Sequence, residues 1–413
     1  MNDGMNKEAA LTRTPLLRFA AKRPFRFRQH NTGPKAEQVG RGGETFLTSS
    51  QQFANRVLVP APQQFRILEV GARLPCLPPA EWAGYDFTEK RALFLLPSEA
   101  LGSNVATLLF LQALRERFRL RRLAVFCARS AADIYLTDPT LEVFTLWLPE
   151  RELRRFDLLV DLGQLESRRD VEIWPVDMEG ELLSAFGLEP SRRYPSEARP
   201  VPAEGPLRIG LLPLASSPLR TLPLSATRAL CAALAPFGKV TLCLNRDQHQ
   251  GRLYRQHIGP LPDGVEIVEG FAGIGALLEA IAGFDYAVFA DSGPAHMAKL
   301  FATPGVAVYT SAPSGVLQGR FRNLAAWQVP YAGDWCAAPC GLAKLRRTAD
   351  GRTGCMGSLG LPLAELPEVA RAADPHSVAR LLLEAPVPCV AALRDAPEPL
   401  AEFVLADLAA RRA

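Results

Sequence analysis

A chain of 413 residues with 48% hydrophobic and 22% charged side chains has the composition of a globular protein and is long enough for two or three domains. Its formal net charge of +4 is too small to indicate a protein that binds nucleic acid. We find no apolar run that reaches the roughly 18 residues of a membrane span, and no apolar core of a signal peptide. We therefore expect a cytoplasmic protein without a membrane span.

The first 90 residues are predicted to differ from the rest of the chain. Residues 1–43 carry nine Lys and Arg against three Asp and Glu, which predicts a basic, flexible arm. Residues 44–90 contain the short runs NRVLVPA and FRILEV, broken by prolines, and predict a small β-rich extension.

From residue 91 the pattern changes to buried strands that alternate with helices. RALFLLPS is typical of a strand buried on both faces, and NVATLLFLQALRERF has the length and apolar spacing of a helix. LRRLAVFCAR, LEVFTLWL and FDLLVDLG predict three further strands. This alternation over 91–188 predicts a parallel sheet with crossover helices, as in a Rossmann-like lobe.

A second lobe of the same kind is predicted after a linker. Residues 189–206 hold five prolines and form the predicted linker. Strands and helices then alternate again over 207–335, from LRIGLLPL to PGVAVYTSA and beyond. The sequence thus predicts an α/β protein with two doubly wound lobes that face a cleft, and ligands at the carboxyl ends of the strands.

The turn DSGPAH at 291–296 follows an apolar strand and precedes a short helix. Pro294 suits the first turn of a helix, so one interpretation is an ordinary helix N-terminus with His296 as a helix residue. The alternative is an anion site. Free N–H groups at a helix N-terminus attract phosphate, Ser292 adds a hydroxyl donor, and Gly293 lets a ligand approach the backbone closely.

A second loop, PLASSPLRTLPLS at 213–225, follows the first strand of the second lobe and favours the anion site. Ser216 and Ser217 supply hydroxyls, and Arg220 supplies a forked donor that suits a phosphate. An ordinary loop with a solvated arginine is the alternative. Because both loops lie at strand ends of one lobe, we expect them to hold a diphosphate-linked ligand.

These motifs resemble those of the bacterial heptosyltransferases, glycosyltransferase family nine. ADSGPAHMAKLFATPGVAVYT is similar to the family's Asp-Thr/Ser-Gly-x-x-His signature, and ASSPLRTLP to its Ser-rich loop, with Arg220 where lysine is usual and Leu222 where tryptophan is usual. LFLLPSEALGSNVATLLFLQALRERF resembles the family's first strand, loop and helix, so that the resemblance covers about residues 91–335.

The resemblance implies the GT-B fold, a nucleotide-diphosphate heptose donor (ADP-heptose) on the second lobe and an acceptor on the first. The donor-binding residues that it implies are Ser216, Ser217, Arg220, Asp291, Ser292, Gly293 and His296. No catalytic divalent metal is expected, because a helix dipole, a hydroxyl and a guanidinium can stabilise the leaving diphosphate.

The general base that the family supplies is absent from its usual position. The family's first loop ends in Gly-Asp, whereas this chain has Gly102 and Ser103. A serine hydroxyl cannot accept a proton at neutral pH without a base of its own. Glu99, four residues earlier in the same loop, is the candidate catalytic substitute together with Ser103, and a solvated loop glutamate is the alternative.

Cysteines in the last quarter of the chain predict a structural metal site. Their spacing is C-x3-C-x14-C-x33-C in a glycine-rich, basic stretch, and four thiolates suit iron or zinc. The four are Cys336, Cys340, Cys355 and Cys389. Free thiols in a loop are the alternative. We predict a metal knuckle with helices over 336–389 and a C-terminal helix over 390–413. The other cysteines lie singly in apolar runs and are predicted to be core residues.

The N-terminal region and the cysteine cluster narrow the resemblance to protein O-heptosyltransferases that modify autotransporter adhesins. That layout implies an iron site, a homo-oligomer, and transfer of heptose to a Ser or Thr hydroxyl of a bacterial surface protein, with a saccharide acceptor as an alternative. A non-catalytic relative that serves as a binding or assembly subunit stays open, and Ser103 favours it. A thiolate-metal nucleic-acid module is disfavoured by the near-neutral charge and by the lack of interleaved aromatic and basic residues.

Overall fold

The structure is a computed structural model that describes residues 10–28, 37–166, 176–245, 249–333, 337–341 and 387–413. The chain divides into two units that meet in sequence between Arg193 and Tyr194, so that unit 1 consists mainly of earlier residues and unit 2 mainly of later ones. In these described ranges, no helix is both long enough and apolar enough to cross a membrane.

The strands and helices carry the following bounds. The strands are β1 (Leu16–Ala21), β2 (Phe25–Arg28), β3 (Glu37–Gly40), β4 (Thr45–Thr48), β5 (Phe65–Ala72), β6 (Arg91–Leu96), β7 (Arg122–Cys127), β8 (Glu142–Phe144), β9 (Leu148–Pro149), β10 (Leu158–Asp161), β11 (Leu207–Leu212), β12 (Gly238–Cys243), β13 (Val265–Val268), β14 (Tyr286–Ala290), β15 (Gly305–Tyr309), β16 (Leu324–Gln328), β17 (Tyr331–Ala332) and β18 (Ala337–Ala338). The helices are α1 (Gln51–Phe53), α2 (Leu101–Arg117), α3 (Ala132–Tyr135), α4 (Glu150–Leu153), α5 (Gly163–Glu166), α6 (Met178–Phe186), α7 (Leu224–Leu234), α8 (His249–His257), α9 (Ile274–Gly283), α10 (Gly293–Met297), α11 (Ser314–Gln318), α12 (Pro388–Asp395) and α13 (Glu398–Arg412).

Unit 1 begins with a small antiparallel sheet in the strand order β5-β1-β4-β9. One face of this sheet buries a cluster of aromatic rings. Phe19 in β1 stacks on Phe46 in β4 with ring centroids 5.3 Å apart, and the ring of Trp147 lies 4.8 Å from that of Phe25. Aromatic side chains dominate the energetics of such clusters because each one buries a large area.

The predicted flexible arm over 1–43 is wrong where β1, β2 and β3 form. The flexible arm was predicted from its basic residues, but these residues lie within a strand pattern. Phe19 and Ala21 point into the core while Arg18 points outward. Arg18 is not a free charge, because it pairs with Glu69 and, at 2.7 Å, with Glu150. Residues 1–9 and 29–36 of the predicted arm lie outside the described residues.

Two predicted strands differ in the structure. The first four residues of NRVLVPA lie in a π-helical turn (Ala54–Leu58) that continues α1, and the run leaves it through an ordinary turn. At the start of α1 the Ser50 hydroxyl accepts from the Phe53 N–H at 3.1 Å. LEVFTLWL is divided, since β8 joins one sheet and β9 pairs with β4 in another. The burial of Trp147 among the aromatic rings accounts for that division.

The second sheet of unit 1 is parallel, in the order β10-β6-β7-β8. The run RALFLLPS forms β6, which is buried between two neighbours, and NVATLLFLQALRERF lies in the long helix α2, as predicted. The alternation of apolar runs and helices therefore identified the α/β character of this unit correctly.

Unit 2 contains a six-stranded parallel sheet in the order β13-β12-β11-β14-β15-β16. Every strand that the sequence predicted between 207 and 312 is present. Strands β14 and β15 are buried over their whole length, which explains why their sequences read as continuous apolar runs.

The linker and the C-terminus complete the chain. Residues 189–206 form no helix or strand, and the carboxylate of Glu116 accepts from the Ser191 hydroxyl at 2.6 Å and from the Arg192 N–H at 2.9 Å. The predicted single helix over 390–413 is instead two helices, α12 and α13, with a break before Pro397, which has no N–H to continue a helix.

Asp161 at the end of β10 holds the N-terminal segment against the parallel sheet. The side chain is fully buried and accepts hydrogen bonds from the N–H of Arg13 at 2.7 Å, the N–H and hydroxyl of Thr14 at 2.9 Å each, and the N–H of Gly163 at 3.0 Å. All of these contacts use acceptor oxygens, which an amide side chain cannot reproduce on both atoms.

We predict that Asp161→Asn lowers the free energy of unfolding of unit 1 by about 2–4 kcal/mol, because the new amide group faces donors. The matched control is Asp157→Asn at the other end of β10, where the carboxylate is one-third exposed and pairs with Arg91. That change is expected to cost less than about 1 kcal/mol. Urea unfolding followed by tryptophan fluorescence measures both, and equal losses would contradict the role of Asp161.

Candidate functional site

The two predicted phosphate loops leave neighbouring strands of the six-stranded sheet. Strands β11 and β14 pair in parallel, and the loops follow Leu212 and Ala290 at their carboxyl ends. Between them the strand order reverses, because the chain runs outward from β11 to β13 and then returns to β14. The carboxyl ends of strands at such a reversal are the usual ligand site of an open α/β sheet.

The loop after β11 is closed by its own hydrogen bonds. The Leu222 N–H donates to the Pro213 carbonyl at 2.9 Å. The Thr221 hydroxyl accepts from the Ala215 N–H at 3.2 Å and donates to the Ser217 carbonyl at 3.2 Å. The loop therefore has a defined shape without a ligand. Sequence reasoning missed Thr221, whose role depends on a turn that the motif does not specify.

Arg220 joins the two loops. Its Nη1 donates to the Asp291 carbonyl at 2.9 Å and lies 3.3 Å from Asp291 Oδ1, while its Nη2 donates to Ser216 Oγ at 3.0 Å. The Arg220 side chain is 13% exposed and that of Asp291 is 2% exposed. The structure thus brings together three residues that the sequence predicted from two separate motifs.

The turn after β14 starts a helix as predicted but directs one hydroxyl elsewhere. Ser292 is the N-cap of α10, which begins at Gly293 with Pro294 in its first turn. Ser292 is buried, and its hydroxyl donates to the Ala290 carbonyl at 3.2 Å. In this conformation the Ser292 hydroxyl uses its only proton in a hydrogen bond to β14, so it does not supply the donor that we expected from it.

Three polar atoms in these two loops have no hydrogen-bond partner in the described part of the chain. They are Nε of Arg220, Oδ2 of Asp291 and Oγ of Ser217, and each is buried. An unsatisfied buried polar group costs about 1–3 kcal/mol. All three atoms belong to the two loops that Arg220 joins.

Burial and nearby charges set the protonation of this site. Burial raises the pKa of Asp291, and the Arg220 guanidinium opposes part of that rise. Burial lowers the pKa of His296 well below its usual value, and the positive charges of Lys299 and Arg220 lower it further. His296 is therefore neutral at physiological pH. The charges that act on these two groups are thus the guanidinium of Arg220, which acts on both, and the ammonium of Lys299, which acts on His296.

Thr310 at the end of β15 supports the same site and was missed by sequence reasoning. It is fully buried, and its hydroxyl donates to the Leu219 carbonyl at 2.8 Å, next to Arg220 in the chain. A lone threonine after an apolar strand carries no motif, so only the pairing of strands reveals this contact.

The candidate catalytic residues of unit 1 lie where β6 leads into α2. Glu99 is exposed in the connection, and Ser103 is half-buried in the first turn of the helix. The side chain of Asn104 donates to the carbonyls of Ser98 and Ala100 at 2.9 Å each, so that it fixes the backbone on both sides of Glu99. Within the described residues, no carboxylate forms a hydrogen bond with Ser103.

The predicted metal ligands are only partly described. Cys336 and Cys355 lie outside the described residues. Cys340 is exposed after the hairpin of β17 and β18, and Cys389 is half-buried in α12, which packs against β17. The Gly341 N–H donates to the Ser311 carbonyl at 2.7 Å, next to the end of β15. A search restricted to the described residues finds no group of three metal ligands.

The isolated cysteines are core residues, as predicted. Cys76, Cys127, Cys231 and Cys243 are all buried. Burial raises the pKa of Cys76 to about 11 and those of Cys231 and Cys243 to about 12, and it also raises the pKa of Cys127. These thiols stay protonated at neutral pH and do not act as thiolate ligands.

No family model and no curated protein matches the chain. Solved structures are similar to it. E. coli heptosyltransferase WaaC with ADP-2-deoxy-2-fluoro heptose is 14% identical, with 58% of this chain and 93% of that chain covered and a TM-score of 0.42. A glycosyl transferase family 9 structure from Veillonella parvula is 14% identical, with 59% and 87% covered and a TM-score of 0.45.

A third similar structure extends over more of the chain. It is the dodecameric iron-containing heptosyltransferase TibC in complex with ADP-D-β-D-heptose, which is 12% identical, with 92% of this chain and 91% of that chain covered and a TM-score of 0.43. Two of these three solved structures are of heptosyltransferases and one is of a glycosyl transferase of family 9, and each TM-score is below 0.5.

Proposed function

We propose that the carboxyl edge of the unit 2 sheet binds the diphosphate of a nucleotide sugar and that the chain is a glycosyltransferase. One observation carries the proposal: among the described residues, the buried polar atoms Arg220 Nε, Ser217 Oγ and Asp291 Oδ2 have no hydrogen-bond partner, and all three belong to the loops that follow β11 and β14, where the strand order reverses. Arg220 Nε and the Ser217 hydroxyl are donors that phosphate oxygens would satisfy.

The motif resemblance supports a specific donor and acceptor. The proposed donor is ADP-heptose, and the proposed acceptor is a Ser or Thr hydroxyl of a bacterial surface protein of the autotransporter class, or a saccharide. Unit 2 is proposed to bind the donor and unit 1 the acceptor. The reaction is proposed to take place in the cytoplasm, in a homo-oligomer.

The proposed chemistry breaks the bond between the anomeric carbon and the diphosphate. Negative charge then develops on the leaving diphosphate, where the fixed donors of Arg220 and Ser217 stabilise it. Because their loop is closed by Thr221 and tied to β15 by Thr310, these donors need little rearrangement. A divalent metal has no part in the proposed step.

The acceptor hydroxyl must lose its proton as it attacks the anomeric carbon. We propose Glu99 as the base that takes it, because its carboxylate is exposed at the carboxyl end of β6 on a backbone that Asn104 holds. Ser103 has no carboxylate partner in the described part of unit 1 and cannot take that role alone. This feature favours the second candidate, a non-catalytic relative that keeps the nucleotide site but serves as a binding or assembly subunit.

We also propose a structural iron or zinc ion held by Cys336, Cys340, Cys355 and Cys389. Two observations support it. The hairpin that precedes Cys340 packs against the helix that carries Cys389. The four core cysteines are buried and protonated and therefore do not compete as thiolate ligands. When bound, the metal would cross-link the hairpin to the C-terminal helices.

We predict that Arg220→Ala weakens the binding of ADP-heptose or ADP by about 1.5–3 kcal/mol, the value of a hydrogen bond to a charged group. Arg220→Lys keeps the charge but loses the fork and is expected to fall between mutant and parent. Arg208→Ala is the matched control, because Arg208 lies at the amino end of β11 and pairs with Asp285. Calorimetric titration measures the nucleotide affinity of all three variants. Equal affinity in Arg220→Ala and in the parent would show that the nucleotide binds elsewhere.

We predict that Glu99→Gln lowers the rate of heptose transfer on the order of 100-fold or more, because general-base catalysis is lost, while donor affinity stays unchanged. Glu204→Gln, an exposed glutamate in the linker, is the matched control. Intact-mass analysis of the acceptor follows the transfer.

The outcomes separate the two candidate functions. Full transfer by Glu99→Gln would reject Glu99 as the base but would support the proposal that the protein is an enzyme. A parent that binds the nucleotide but transfers no sugar to any acceptor would favour the non-catalytic subunit.

We predict that freshly purified, reduced protein contains about one iron or zinc ion per chain and that Cys389→Ser lowers this content and the melting temperature, since a metal site contributes to folding. Cys243→Ser, which changes a buried core thiol, is expected to keep the metal. Elemental analysis measures the content. A metal-free parent would reject the metal site. Full metal occupancy in Cys389→Ser would exclude only Cys389 as a ligand.

A further inference from the structure

Asp291 places a negative charge inside a site that favours anions. Its carboxylate is 2% exposed, and Oδ1 lies 3.3 Å from Arg220 Nη1. The other oxygen, Oδ2, is buried and has no partner among the described residues. A diphosphate bound by Arg220 would lie close to this carboxylate, and like charges at short range in a buried site repel each other strongly.

We propose that Asp291 holds Arg220 in position while the site is empty, and that diphosphate binding adds a proton to Oδ2. This inference rests on the proposed function. The proton comes from solvent and forms an O–H bond on the oxygen that lacks a partner. The neutral acid then donates a hydrogen bond to a phosphate oxygen, while Oδ1 still accepts from Arg220. A repulsion is thereby replaced by a hydrogen bond.

We assign the change of charge to Asp291 and not to the other titratable groups of its cluster. Arg220, on the turn after β11, and Lys299, on the turn after α10, stay positive. His296 on α10 stays neutral because its pKa is lowered, and Tyr309 on β15 stays neutral because burial and Asp291 raise its pKa. Burial already raises the pKa of Asp291 itself.

The direction of the pH effect follows from linkage. A bound diphosphate raises the pKa of the Asp291 carboxyl above its value in the empty site, so binding takes up a proton at any pH between the two values. Affinity therefore falls as the pH rises through that window and is constant above and below it. Asp291→Asn mimics the neutral acid in shape, and its affinity is expected to be independent of pH.

The test is calorimetric titration with ADP-heptose, whose phosphates are both esterified and do not titrate in this range. Parent protein, Asp291→Asn and Asp285→Asn are each titrated at about pH 5.5 and about pH 8, in two buffers of different ionisation enthalpy at each pH. Asp285→Asn is the matched control, because Asp285 precedes the other end of β14 and pairs with Arg208 at the surface.

The parent is expected to bind about tenfold more tightly or better at the lower pH and to take up as much as about one proton. Asp285→Asn should follow the parent, whereas Asp291→Asn should bind tightly at both pH values without that proton uptake. If Asp291→Asn does not fold, the proton uptake that accompanies nucleotide binding by the parent tests the proposal, and binding without proton uptake would contradict it.

Three results would overturn the inference. Parallel pH profiles of parent and Asp291→Asn would exclude a titrating Asp291 while leaving the proposed function intact. Weaker binding by Asp291→Asn at both pH values would make the carboxylate a direct acceptor for the ligand. A parent that binds no nucleotide at either pH would reject the inference together with the proposed function.

Discussion

The buried ion pair between Arg220 and Asp291 is the interaction on which the candidate site depends. It connects the loops that follow two neighbouring strands, β11 and β14, at the point where the sheet reverses its order. Removing one partner of such a pair leaves an uncompensated buried charge, which typically costs about 3–5 kcal/mol. Among the described residues, one oxygen and one nitrogen of the pair, Asp291 Oδ2 and Arg220 Nε, have no hydrogen-bond partner, and the proposed ligand site rests on these atoms.

The two units differ in how completely the expected machinery is present. In unit 2, Ser216 from one motif and Asp291 from the other both contact the Arg220 guanidinium. Thr221 and Thr310 hold the loop after β11 in place. In unit 1 the connection after β6 is held by Asn104, yet this chain has Ser103 where the resembling family has an aspartate, and the candidate substitute Glu99 lies four residues earlier. Nucleotide binding therefore has a stronger structural basis than catalysis.

Much of the fold could be predicted because buried parallel strands carry a local signal. A strand covered on both faces must be apolar throughout, so β6, β11, β14 and β15 were evident from single stretches of sequence. The errors arose where distant partners decide the outcome. The division of LEVFTLWL depends on β4, about a hundred residues earlier, and the strands of the basic arm depend on aromatic rings supplied by Phe46 and Trp147.

The candidate site shows the same limit at the level of single groups. Residue types and their positions after strands predicted Arg220 and Asp291, but not that the two would pair. The motif likewise could not show that the Ser292 hydroxyl turns back to Ala290, because that choice follows from the extended backbone of Ser292 itself. Thr310 and Asn104 act through backbone carbonyls, and such contacts leave no pattern in the sequence.

The central claim is that a diphosphate occupies the carboxyl edge of the unit 2 sheet. A crystal structure of the protein with bound ADP tests it most directly. We expect phosphate oxygens within hydrogen-bond distance of Arg220 Nε and Ser217 Oγ, with Thr310 still bonded to the Leu219 carbonyl. A nucleotide bound elsewhere, with those two atoms still lacking partners, would contradict it.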